Sequence, residues 1–175
     1  MSFYPADAAL GVGSPYDPII LGASARYVVD PALIKAVITK ESAWNPGALR
    51  PEPQIGDASY GLMQLLQRTA GGMQPGVTPS DLFDPSINID LGTRYLAQQI
   101  AAYGYPQGVS AYNAGHPISG NAQYVADVQA AYDWFVANDP AVGGAGAAPF
   151  REQRATQRLA PHARRGSTGG SPAHG

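Results

Sequence analysis

Three Asp-Pro pairs, Asp17-Pro18, Asp30-Pro31 and Asp84-Pro85, each lead into a run with helical apolar spacing, and they constrain this chain more than any other feature. An aspartate side chain accepts the unpaired amides of a helix's first turn. A proline just inside that start gives up an N–H that has no partner anyway. Each pair therefore predicts a helix start. The second opens the run of greatest consequence, Asp30 to Ser42. There Leu33, Ile34, Val37 and Ile38 form one apolar face. Glu41, four residues after Val37 and seven after Ile34, projects from that same face. A carboxylate on the core side of a helix end is costly to ionise, so its pKa rises toward what a general acid needs at neutral pH. The bland alternative is a Glu41 rotated to the rim and solvated.

The rest of the chain reads as mainly α. Residues 1–16 read as an extended lead-in, and Ile19, Ile20, Ala23 and Tyr27 mark a short helix ending near Val28. Residues 43–58 carry three prolines and two glycines and read as a loop, with at most one short strand in the 50s. Trp44 within it is expected to plug the core beside Glu41. Ser59 is placed to cap a helix from Tyr60 to about Ala70, buried through Leu62, Leu65 and Leu66 and ended by Gly71-Gly72. After Asp84-Pro85 a long helix runs to about Tyr103, where Gly104 ends it. A short helix covers residues 106–114. A last helix runs from Gly120 or Asn121 to Asn138-Asp139, with Tyr124, Val125, Val128, Tyr132 and Phe135 as its stripe.

Composition divides the chain. Up to Asp139 there are six basic residues against twelve acidic ones; beyond it five arginines face Glu152 alone. The expected organisation is an N-terminal extension 1–16, a helical domain 17–139 and a flexible, low-complexity Gly/Ala/Arg-rich tail 140–175. Cysteine is absent, which removes disulfides and thiolate metal sites. His116, His162 and His174 form no metal-ligand pattern, so neither metal nor cofactor is expected. No apolar run is long enough to span a membrane, and no secretory signal is visible at the N-terminus.

Four motifs now stand in order: Glu41-Ser42-Ala43-Trp44-Asn45-Pro46; Gly61-Leu62-Met63-Gln64; Ala111-Tyr112-Asn113-Ala114-Gly115; and Tyr124-Val125. Between the second and third lie Leu82-Phe83-Asp84-Pro85, Asn88-Ile89, Gly92 and Tyr95-Leu96. Over roughly residues 18–138 this series resembles the soluble lytic transglycosylases, within the goose-type-lysozyme-like group. The resemblance implies a single lysozyme-like helical domain that cleaves peptidoglycan between N-acetylmuramic acid and N-acetylglucosamine. It implies that Glu41 is the catalytic acid and then base, closing a 1,6-anhydro ring on the muramic acid. It implies that Met63 and Gln64 line the sugar cleft. Tyr112 would approach the catalytic glutamate, its hydroxyl bonding the carboxylate or the sugar N-acetyl group. Asn113 would hold the turn that presents Tyr112, or touch substrate. Tyr124 would close the cleft from the last helix, its alternative being a plain core tyrosine. Ser59 and Tyr60 join the substrate-binding candidates, Tyr60 as a stacking platform.

The residues agree with a one-carboxylate mechanism on one point. Of the three glutamates, Glu41, Glu52 and Glu152, only Glu41 sits on an apolar helical face. Glu52 or Asp57 as a second carboxylate would instead favour lysozyme-type hydrolysis. A third reading is a structural or adaptor protein that keeps the fold. Three departures from the family pattern stand out: Gln67 where proline is common, the longer Pro51–Asp57 approach to the second motif, and no acid just before Tyr124-Val125. A substrate outside the cytoplasmic membrane, without a visible signal, leads to the expectation of a virion-associated or secretion-machine-delivered enzyme acting in the periplasm or cell wall. Its expected partners are peptidoglycan strands and, through the termini, tail or secretion-apparatus proteins.

Overall fold

The computed structural model describes residues 5–116 and 118–143. Seven α-helices lie within them: α1 (Pro5–Ala9), α2 (Asp17–Tyr27), α3 (Pro31–Ser42), α4 (Gln67–Met73), α5 (Pro85–Tyr103), α6 (Gln107–Ala114) and α7 (Ala122–Asn138). Three short strands, β1 (Leu49–Glu52), β2 (Asp57–Tyr60) and β3 (Leu65–Leu66), form an antiparallel sheet in sequence order.

Helix α3 is the axis of the fold. It is buried continuously from Pro31 to Thr39, on every side rather than on one face, because α2, α7 and α1 all pack against it. Asp30 caps it, accepting from the Ala32 amide at 2.9 Å, and the Tyr132 hydroxyl of α7 donates to the other Asp30 oxygen at 3.0 Å. Asp84 caps α5 through the amides of Ser86 and Ile87. Asp17 does not cap. The N-cap of α2 is Tyr16, and Asp17 instead turns its carboxylate to within 2.7 Å of the Lys35 ammonium. Lys35 is wholly buried in the middle of α3, and such a charge persists only when fully partnered. Besides Asp17 it has Asp139 at 2.6 Å and the Gly11 carbonyl at 2.8 Å, with the Phe135 ring beside it.

Several expectations need correction. The lead-in 1–16 is not simply extended: its described part contains α1, with Ala8 sealed in the core, and a loop on which Gly11 meets Trp44. Residues 43–58 are not a plain loop but hold β1, a 3₁₀ turn at Pro53–Ile55 and the start of β2. No helix runs from Tyr60 to Ala70. Ser59 and Tyr60 belong to β2, residues 61–64 turn, and α4 begins only at Gln67 and runs through Gly71-Gly72. Helical apolar spacing in the short Leu62–Leu66 segment is ambiguous. A four-residue turn feeding a two-residue strand buries the same leucines as a helix would. Beyond Asp139, Val142 is buried in the main core, so ordered packing reaches past residue 140. The tail from residue 144, with His162 and His174, lies outside the described residues, as do residues 1–4.

The main core gathers α2, α3, α5, α6 and α7 around Leu33, Ile34, Val37, Ile38 and Phe135. A smaller cluster of Leu65, Ala70, Val77, Leu82 and Leu91 supports the sheet and α4. Trp44 is a core plug as expected. It stacks on Tyr16, meets Phe135 edge-on and donates its Nε1–H to Thr39 at 3.0 Å.

Candidate active site

Glu41 occupies the last turn of α3, where the helix emerges from the core. Directly after it, Ala43 and Trp44 take left-handed backbone conformations, with φ of 47° and 68°. Each costs a non-glycine residue on the order of 1–2 kcal/mol. Burial of the Trp44 indole and its hydrogen bond to Thr39 hold this reversal. The reversal sends the chain away from Glu41 and leaves its carboxyl on the wall of a cleft. Ser42 secures the exit from the other side, donating to the carbonyls of Ile38 and Leu62.

Two cavities meet at Glu41. One, about 570 Å³, lies between the C-terminal end of α3, the 45–49 loop and α7, and is lined by Lys40, Asn45, Asp127 and Asp7 among others. The other, about 660 Å³, lies between the sheet, α4 and the α6 turn, and is lined by Glu52, Ser59, Arg68, Tyr112 and Asn113 among others. Glu41, Arg50 and Gln64 line both, so they form the seam of one continuous cleft.

The Glu41 carboxyl lies above its ordinary pKa. Burial is the main cause, opposed by the Tyr124 hydrogen bond, the Arg50 guanidinium and a side-chain hydrogen bond from Asn113. The Tyr124 hydroxyl donates to Glu41 Oε1 at 2.6 Å. Burial, together with the Glu41 charge, holds the Tyr124 hydroxyl well above the usual phenol range, so it stays a donor throughout the physiological range. The combination is a carboxyl whose desolvation favours the protonated form, held in one orientation by a group that also stabilises its anion.

The cleft-lining residues are held from behind by a tight turn. Gly61 has φ +70°, and a Cβ there would fall 2.4 Å from the Leu82 carbonyl and 2.5 Å from the Asn88 amide. Only glycine fits. Asn88, buried on α5, donates to the Tyr60 and Leu82 carbonyls and accepts from the Met63 amide, all at 2.8 Å. Gln64 takes a left-handed conformation, φ +47°, stabilised by its side-chain amide donating to the carbonyls of Ala48 and Gly61.

Most of the residues expected at the site from the sequence are brought together, with changed parts. Glu41, Gln64, Asn113 and Tyr124 meet, and Ser59 faces the cleft from β2. Tyr112 lines the second cavity near Glu41, but the hydrogen bond expected of it falls to Tyr124. Tyr112 does not bond Glu41; its hydroxyl donates to the Met63 carbonyl at 2.7 Å, and Tyr124 makes the glutamate contact. Met63 does not line the cleft. Its side chain is wholly buried against Gly92 and Thr93. Tyr60, one residue on from Ser59 and so on the opposite sheet face, packs edge-on against Phe83 over the smaller core cluster. Glu52 lines the second cavity, held by Arg50 and Gln54. The Gln54 hydrogen bond is the main reason its pKa lies below the usual value. Asp57 lies outside both linings. Burial pushes its pKa up, but the Arg68 and Ala58 amides and the Arg68 guanidinium outweigh it and hold it low.

Arg50, Asp7 and the Lys40–Asp127 pair at 2.5 Å were not singled out from the sequence, and nothing in their local pattern marks them. They reach the cleft only because the sheet, α1 and α7 converge there. Among the described residues no group of three or more His, Asp or Glu side chains could hold a metal ion, and no helix is long and apolar enough to cross a membrane.

A family model described as the transglycosylase SLT domain matches residues 18–135. Membrane-bound lytic murein transglycosylase C of Serratia proteamaculans is 42% identical over 89 residues, covering 47% of this chain and 24% of that protein. Its counterpart from Photorhabdus laumondii is 40% identical over the same length and shares. The chain thus spans about a quarter of the length of these relatives. Among solved structures, the 70-kDa soluble lytic transglycosylase in complex with bulgecin A superposes with a TM-score of 0.59 and 27% identity, covering 75% of this chain and 26% of that one. An inactive variant of the lytic transglycosylase Slt from Pseudomonas aeruginosa gives 0.59 at 23% identity, a likeness of fold, covering 73% and 25%.

Proposed function

The chain belongs to the transglycosylase SLT family, and from that premise we propose that its cleft binds peptidoglycan glycan strands and cleaves the β-1,4 bond between N-acetylmuramic acid and N-acetylglucosamine. The observation that carries this reading is Glu41 itself: a desolvated carboxyl at the seam of two cavities, oriented by Tyr124. A strand lying through both cavities presents a glycosidic oxygen to it.

Protonated Glu41 donates its proton to that oxygen as the C1–O bond of the muramic acid breaks, releasing the N-acetylglucosamine 4-hydroxyl. The resulting carboxylate then takes the proton from the muramic acid 6-hydroxyl as O6 bonds to C1. The 1,6-anhydro ring closes, and Glu41 is protonated again for the next cycle. Tyr124 steadies the carboxylate between the two steps. Burial of the site disfavours the ionised intermediate state, and the hydroxyl hydrogen bond offsets part of that. Asn113, which bonds the Glu41 side chain, and the Gln64 carbonyl oxygen, left over once its NH2 is bound to the Ala48 and Gly61 carbonyls, are the amide groups nearest the sugar.

A second reading keeps the same bond and changes the acceptor. Glu52 lines the same cavity as Glu41 and its pKa lies low, as a base or nucleophile for hydrolysis would require. Its engagement by both Arg50 and Gln54 argues against that role. The products separate the readings. Mass spectrometry of digested peptidoglycan showing 1,6-anhydro-muramic ends supports the transglycosylase. Reducing muramic acid ends support hydrolysis through Glu52. No products from folded protein support a structural component that keeps the fold. Delivery in a virion tail or secretion machine rests on sequence alone, through the arginine-bearing segment beyond Pro140. Its test is whether a chain lacking residues 144–175 keeps its muralytic activity but loses its association with such an assembly.

A further inference from the structure

The family match begins at residue 18, yet the described chain before it is built into the cleft. Four contacts fix residues 5–16 on the fold. Ala8 is wholly buried, and α1 packs on both α3 and α7. The Gly11 carbonyl accepts from the buried Lys35 ammonium at 2.8 Å. Gly11 lies so close to the Trp44 ring that a Cβ would fall 2.1 Å from it. Tyr16 stacks parallel to Trp44, with ring centroids 6.4 Å apart. Lys35 also pairs with Asp139, which lies beyond the other end of the matched region, so one buried ammonium ties down both additions.

This anchoring delivers one polar side chain to the cleft. Asp7, half-exposed on α1, lines the 570 Å³ cavity that also holds Glu41, Lys40 and Asp127. We propose that residues 5–16, outside the matched family region, are a cleft-building segment, and that Asp7 supplies an outlying contact to the glycan, accepting a hydrogen bond from a sugar hydroxyl or acetamido N–H. A carboxylate suits that task, because it accepts from neutral sugar donors through four lone-pair sites and makes charge-assisted bonds. Lys40, on the same cavity wall, is paired with Asp127 at 2.5 Å. The segment therefore lengthens the binding surface on the α7 side of the scissile bond and makes the enzyme favour longer strands.

The inference rests on the cleft being a glycan site, and the experiment separates the two. Binding of peptidoglycan oligosaccharides of defined length is measured by calorimetry on the full chain carrying Glu41→Gln, which cannot turn over. Asp7→Ala and Asp7→Trp are then added to that background. Because Asp7 is half-exposed, melting temperatures should match the parent and confirm intact folds. The expected result is a loss confined to long strands. It should be about 10-fold for Asp7→Ala, the loss of one charge-assisted hydrogen bond, and at least as large for Asp7→Trp, which also intrudes on the cavity. Unchanged long-strand affinity in both variants overturns the proposal, as does an equal loss for the shortest fragments. If the Glu41→Gln chain binds no glycan of any length, the reading of the cleft fails, and the role of Asp7 fails with it.

Discussion

Replacing Asn88 should destabilise this protein severely. Its side chain is 1% exposed and makes three hydrogen bonds at 2.8 Å, all to backbone: two donated, to the Tyr60 and Leu82 carbonyls, and one accepted from the Met63 amide. Asn88→Ala strands those groups where water has no ready access. Each buried group left unpaired costs roughly 1–3 kcal/mol, with the carbonyls at the low end because each has a second lone pair. The sum is about 3–5 kcal/mol. For a domain of this size that lowers Tm by roughly 10–15 °C. Asn88→Asp is the sharper test, since it keeps the shape and the acceptor but removes both donors and sets an anion against two carbonyls. It should cost at least as much as the alanine. Urea titration gives the free energies, and Glu41-dependent turnover measured well below Tm reports the turn that Asn88 holds. If both variants lose less than about 1 kcal/mol, the three-way clamp is not what fixes residues 60–63, and the argument fails.

Three other changes follow from the site. Glu41→Gln should abolish cleavage and, at neutral pH, stabilise the fold. The native pKa lies above the unfolded one, so the native state carries no penalty below the unfolded pKa and loses stability as pH rises through the folded one. The gain should therefore appear in denaturation at pH 7–8 and vanish near pH 4, with about 1.4 kcal/mol for every tenfold by which folding tightens proton binding at the carboxyl. A gain that grows toward low pH would reverse the assignment. Tyr124→Phe removes the contact that lowers the Glu41 pKa, so the alkaline limb of the pH–rate profile should move up even as kcat falls; a downward move contradicts the geometry. Gln64→Gly relieves about 1 kcal/mol of left-handed strain but loses two side-chain hydrogen bonds to Ala48 and Gly61. Its stability should change little while KM rises several-fold, whereas a large stability loss would show the side chain to be mainly structural.

What the sequence revealed, and what it hid, divides along the range of the interactions. Asp30 and Asp84 cap their helices because a cap needs only its own first turn, and both starts are readable from two residues. Asp17 carries the same signature and fails as a cap, since Lys35, eighteen residues away, claims its carboxylate. The Gly61-Leu62-Met63-Gln64 stretch misleads for a similar reason. Its leucine spacing fits a helix, but Gly61 is pressed against Leu82 and Asn88, and only a turn brings it there. Which of Tyr112 and Tyr124 bonds Glu41 was also out of reach. Both lie on helices α6 and α7 flanking the site, and which hydroxyl reaches Glu41 depends on how those helices pack on α3.

The placement of Glu41 shows how the fold sustains an unfavourable group. A carboxyl poised as an acid must be poorly solvated, and that works against the folded state whenever the group ionises. Here it sits at the end of the helix with the most complete burial, Pro31 to Thr39, whose Leu33, Ile34, Val37 and Ile38 side chains each contribute about 1.5–3 kcal/mol. The same helix is fixed at its start by Asp30 and Tyr132, at its middle by the Lys35 cluster and at its exit by Ser42. A helix held at three levels cannot rotate to carry Glu41 into solvent without breaking buried ion pairs, each of which is costly to leave half-made. The carboxyl is thus kept in the cleft by contacts that lie almost entirely outside it. Lys35→Met, some 9 Å down the helix axis by the 1.5 Å rise per residue, should therefore lower kcat on peptidoglycan and loosen the pH profile of Glu41 while touching no substrate. A variant that is less stable but keeps an unaltered pH profile would show that the site is rigid without that anchor.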